Sequence, residues 1–109
     1  MADFRSQALA LTGAVEQPHH GAPSFRVAGK IFAQLSADGL TALLKLPLSL
    51  QEWGQATYPN ACQAEPGRWG ASGWTRVCWS EIPEGDMIDM VKAAWAAVAP
   101  STLKGRKTD

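Results

Sequence analysis

The sequence predicts an α+β fold: an antiparallel sheet of hairpin-connected strands with N- and C-terminal helices packed on one face. Three observations carry that expectation. Helical periodicity is strongest at the two ends, with Phe4, Ala8, Leu11 and Val15 on one stripe and Met87, Val91, Ala94, Trp95 and Val98 on another. Between them, strand formers lie on either side of Ala28-Gly29, where Gly29 supplies the positive φ that a two-residue hairpin turn requires. A second turn at Ala37-Asp38-Gly39 returns the chain into Thr41 to Leu46. Strands joined by turns this short pair antiparallel, and helices kept to the ends of such a meander cover one face of its sheet.

Taken in order, Asp3 is a good N-cap, and the stripe behind it predicts a helix over residues 4 to 14 that stops near Gly13. Pro23 keeps Ala22 out of the helical region, so the chain enters the first hairpin extended. Pairing across Ala28-Gly29 sets Phe25 against Phe32 on one face and Arg26 against Ile31 on the other. Pro47 ends the third strand. A short helix over 50 to 57 follows, capped by Ser49 with Glu52 as its capping-box partner. Residues 60 to 73, NACQAEPGRWGASG, lack periodicity and hold three Gly and a Pro, which predicts a mobile loop. Trp74 to Trp79 alternates as a fourth strand, and a last helix over 86 to 99 is stopped by Pro100. Acids at 84, 86 and 89 suit the positive end of that helix's dipole and need no other role.

A chain of 109 residues is one domain's worth, and it buries roughly 65% of its unfolded surface without metal or disulfide. Ten basic residues balance ten acidic ones, so a strong overall attraction to nucleic acid is excluded and only charge distribution can supply one. From Arg26 to Arg76 five cations face three acids, and Lys104, Arg106 and Lys107 form a short basic tail. No apolar run reaches signal-peptide or membrane-span length, so the expected location is cytoplasmic, with no membrane partner. Cys62 and Cys78 lack a CxxC spacing and are expected as free thiols.

Four stretches carry a family resemblance: HGAPSFRV from His20 to Val27, GKIFA from Gly29 to Ala33, Gly73-Trp74, and Ala94-Trp95 with Val98-Ala99-Pro100. Together they make the chain similar to the MmcQ/YjbR family, small bacterial proteins with a CyaY-like (frataxin-like) fold, often described as double-wing DNA binders. The resemblance covers nearly the whole chain. It implies that the hairpins are wings carrying positive side chains.

On that reading Arg26, Lys30, Lys45 and Arg76 stand off predicted strands or their turn and contact phosphate, while Trp74, with Phe32, offers a stacking platform for bases. The competing reading is a small-molecule or protein-interaction domain that uses the sheet face and the 60–73 loop, with His20, Arg68 and Trp69 as contacts. Neither is catalytic. Ser24 and His20 lack a placed acid and an oxyanion loop, and EPGRWGASG lacks the GK[ST] ending of a phosphate loop. His19 and His20 point oppositely on a strand, with no third ligand at metal spacing, so neither a metal nor a cofactor is expected.

Overall fold

The computed structural model describes residues 3–104. Its elements run α1 (Phe4–Leu9), β1 (Val15–His19), β2 (Ala22–Val27), β3 (Lys30–Leu35), β4 (Ala42–Lys45), α2 (Leu48–Thr57), β5 (Cys62–Ala64), α3 (Arg68–Ala71), β6 (Trp74–Val77), a 3₁₀ turn at Trp79–Glu81, α4 (Glu84–Val98) and α5 (Ser101–Lys104). All six strands form one antiparallel sheet in the order β1-β2-β3-β4-β6-β5. The α+β expectation therefore holds, with two strands more than the sequence predicted. Arg106 and Lys107 of the basic tail lie outside the described residues.

Period-two alternation sorts the sheet into two faces. Phe25, Val27, Ala33, Ala42, Leu44, Thr75 and Val77 are buried on the face that α4 and α1 cover. Met87, Met90, Val91 and Ala94 reach down from α4, and Phe4 of α1 meets Phe25 edge-on with ring centroids 5.6 Å apart. Leu11 and Trp95, expected in this core, are only half-buried at its margin, where the Trp95 indole donates to the Thr12 carbonyl at 2.8 Å. The opposite face is covered by neither α1 nor α4, and it presents Arg26, Gln34, Leu43, Lys45, Trp74 and Arg76.

Several boundaries differ from expectation for identifiable reasons. Helix α1 keeps its Asp3 cap, whose carboxylate accepts from the Ser6 amide at 2.9 Å, but it ends at Leu9. Val15 belongs instead to β1, because residues 15–19 gain a ladder against β2 through a His20-Gly21 turn with φ of 52° and 82°. Ala28-Gly29 turns with the same pair of angles, as the sequence predicts, and Arg26 does oppose Ile31. Phe25, however, opposes Ala33. Phe32 is the extra residue of a β-bulge, which lets both phenylalanines reach the core. At α2 the cap position is held by Pro47, with no side-chain hydrogen bond, so the Ser49–Glu52 capping box does not form.

The expected loop over 60–73 is the largest correction. It contains β5, the outer strand beside β6, and the short helix α3, and it is tightly seated. Its glycines serve close approach: a Cβ on Gly70 would lie 1.8 Å from the Glu65 carbonyl oxygen, and one on Gly73 2.2 Å from that of Leu46. Gln51 of α2 is buried and binds the segment from below, its amide nitrogen donating to the Gly70 carbonyl and the Thr75 hydroxyl, each at 3.0 Å.

Candidate functional site

The uncovered face is concave, because residues from distant strands line the same hollows. His19 and His20 at the β1–β2 turn share a hollow of about 440 Å³ with Gln34 of β3, Leu43 of β4, Glu65, Trp69 of α3 and Trp74 of β6. A second hollow of about 210 Å³ adjoins it, where Ser36, Thr41 and Arg76 contribute to the lining, and it shares Gln34, Leu43 and Glu65 with the first. The two form one trough across the middle of the sheet.

Each wall has a local cause. His20 takes φ of 52° because a two-residue turn of this hand needs positive φ at both positions, and this throws the two imidazoles together, with ring centroids 4.3 Å apart. Trp69 is 67% exposed, high for so large an apolar side chain, yet its backbone belongs to a helix pinned by Gly70 and Gln51. Its ring sits edge-on to Trp74, centroids 6.4 Å apart. Leu43 forms an apolar floor opposite Arg76, and the half-buried carboxamide of Gln34 has no partner among the described residues.

Of the predicted phosphate contacts, Arg26, Lys45 and Arg76 lie on this face, each with an internal bond, while Lys30 pairs with core-facing Val27 at the end of the hairpin. Arg76 donates to Glu65 at 2.5 Å, and the Lys45 ammonium donates to the Ser72 carbonyl at 2.7 Å while lying 5.9 Å from the Trp74 ring centre. Arg26 donates through Nε to the Ser24 hydroxyl at 3.2 Å. Lys30 is exposed beside the Ala28-Gly29 turn, and its side chain has no partner among the described residues. Phe32 is wholly buried and cannot stack on a base, since exposing it would forfeit several kcal/mol of core packing, about 3 or more.

Of the residues named for the ligand reading, His20 and Trp69 meet in the larger hollow together with Trp74, whereas Arg68 points elsewhere and lines neither hollow. Ser24 is fully buried, and its hydroxyl donates to the Gln17 carbonyl at 2.7 Å, a structural bond between β2 and β1. Among the described residues no three of His, Cys, Asp and Glu converge. Gln34, Leu43 and Glu65 went unrecognised in the sequence. Alternation about Ala33 and Leu44 would have put Gln34 and Leu43 on the open face, but nothing local marks Glu65.

These features belong to a small α+β domain with one covered and one open sheet face. The family model described as YjbR matches residues 9–97, and the chain belongs to that family. Among solved structures it is similar to a Deinococcus radiodurans protein whose domain is DUF419, with 16% identity, a TM-score of 0.75, and coverage of 97% of this chain and 93% of that one. At that identity the likeness concerns the fold. No curated protein matches.

Proposed function

We propose that this protein is a non-enzymatic binding domain whose site is the trough on the open sheet face, and that it takes a small ligand with a flat apolar ring. The observation that carries this reading is the presentation of exposed Trp69 on a helix whose backbone is closely packed. A large exposed indole normally costs solvation with nothing in return, and here it is held beside Trp74 over an apolar floor with an unpartnered amide next to it. Pockets for small molecules combine such aromatic walls with a few convergent polar groups. Pinning α3 reduces the ordering cost of binding.

The duplex-DNA reading, with phosphate held by Arg26, Lys30, Lys45 and Arg76, comes second. Exposed Lys30 at a hairpin turn favours it, as does the double-wing description attached to similar proteins. The internal bonds of Arg26 and Lys45 weigh against it, because each must be broken or shared before a phosphate gains a full contact, and the Glu65 carboxylate on Arg76 repels a phosphate's larger charge.

Indole-3-acetamide, a flat neutral probe, tests the proposal by NMR titration of the tryptophan indole N–H resonances. The expected result is saturable shifts at Trp69 and Trp74, with Trp69→Ala weakening binding by at least about fivefold, the lower end of what an aromatic stacking contact contributes. Absence of shifts at both tryptophans up to millimolar probe overturns the reading.

A further inference from the structure

The trough is chemically asymmetric along its length. One end is aromatic, built by His19, His20, Trp69 and Trp74; the other is polar and holds Arg76 with the hydroxyl-bearing Ser36 and Thr41. Gln34, Leu43 and Glu65 lie at the junction, so a ligand spanning both hollows passes over an apolar floor and a carboxamide able to donate and accept, beside the carboxylate that tethers Arg76.

Arg76 is the feature that selects the ligand's charge. Its side chain is 53% exposed and donates to Glu65 through Nη2 alone, so Nε and Nη1 of the guanidinium have no partner among the described residues. Glu65 is far less exposed, at 19%, and serves as the anchor that holds the guanidinium in place. A planar fork with one side tethered and the other open matches a carboxylate, which accepts two parallel N–H bonds in the plane of the guanidinium.

Resting on the binding function above, we infer that the ligand class is a flat aromatic acid, its ring against Trp69 and Trp74 and its carboxylate on the open edge of Arg76. Glu65 works against this anion while orienting its receptor. The site therefore favours a single negative charge carried on a ring large enough to hold the aromatic end.

Indole-3-acetate and indole-3-acetamide, nearly identical in shape, separate this inference from the reading it rests on. The acid should bind about tenfold more tightly than the amide, the lower end for a hydrogen bond to a charged group. Arg76→Gln should abolish that preference, so that acid and amide bind alike. Glu65→Gln, which removes the competing charge but keeps the side-chain shape, should tighten acid binding roughly two- to fivefold, in line with an exposed charge pair. Equal affinities for acid and amide in the native protein, or a preference that survives Arg76→Gln, overturn the aromatic-acid assignment and leave the binding site standing. Failure of the amide itself to bind overturns the underlying reading instead.

Discussion

At the scale of single residues, glycine has two opposite uses in this chain. Gly70 and Gly73 stand where another backbone passes within van der Waals contact, and Gly73 also has φ of 113°, so an added methyl meets both a carbonyl and a strained conformation. Gly85, in the first turn of α4, faces open space. Urea unfolding should therefore show a loss of about 2 kcal/mol or more for Gly73→Ala, and a gain of about 0.5 kcal/mol for Gly85→Ala from reduced unfolded-chain entropy. Equal effects at the two sites would refute the close-approach account. Cys62 shows how burial sets reactivity: desolvation, helped by nearby Cys78, pushes its thiol up to about 11 from the ordinary 9.0. Because the native state holds this proton more tightly than the unfolded chain does, its contribution to stability is complete below about pH 9 and lost as pH rises through about 11. Alkylation of the native protein by iodoacetamide at pH 8, followed by peptide mass spectrometry, should label half-buried Cys78 well before buried Cys62. Matching rates at the two thiols would contradict that environment.

At the scale of elements, the decisive relation is between α2 and the segment that carries α3. Gln51 places one amide nitrogen among the carbonyls of Gly70 and Trp74 and the hydroxyl of Thr75, all polar groups shielded from bulk water. Replacing it by Leu preserves bulk but removes these bonds; the Gly70 and Trp74 carbonyls keep the Gly73 and Glu65 amides as donors, so the loss is the net worth of a side-chain hydrogen bond, about 1 kcal/mol. The more specific consequence concerns the site. Amide hydrogen exchange over residues 67–73 should accelerate in Gln51→Leu, while the β2–β3 hairpin keeps its protection. Unchanged exchange there would mean that α3 is held by the glycine contacts alone. Tyr58 adds a second tie on the same side of the sheet, since its hydroxyl donates to Asp86 and joins the end of α2 to α4.

For the whole molecule, charge balance and cation placement govern any nucleic-acid encounter. Four independent phosphate contacts would give a log–log salt slope of about −3.6 on duplex DNA. With Lys45 and Arg26 engaged internally, Lys30 and the open edge of Arg76 are the readily available contacts of the four, and the slope should be nearer about −1.8. Fluorescence anisotropy with unrelated duplexes across a salt series measures it directly. A slope near −3.6 that falls by about one unit in both Lys30→Ala and Arg76→Ala would restore the four-contact DNA reading to first place.

What the sequence alone determined is the set of strongly local features. The Asp3 cap, the Ala28-Gly29 turn, the second turn at 37–39, the stripe of α4 and the α+β class all follow from short-range sterics and periodicity, which neighbours in the chain decide among themselves. The candidate site was legible only in part: His20, Trp69 and Trp74 were each singled out, but nothing local joined them. Tertiary structure decided that join. Val15–His19 became a strand because β2 offered a ladder, Phe32 left its alternation because the core could take it, and residues 60–73 became ordered because backbones approached where glycine permitted. The trough itself exists because curvature accumulated over six strands brings the β1–β2 turn round toward α3. That curvature is a property of the assembled sheet, and no single segment encodes it.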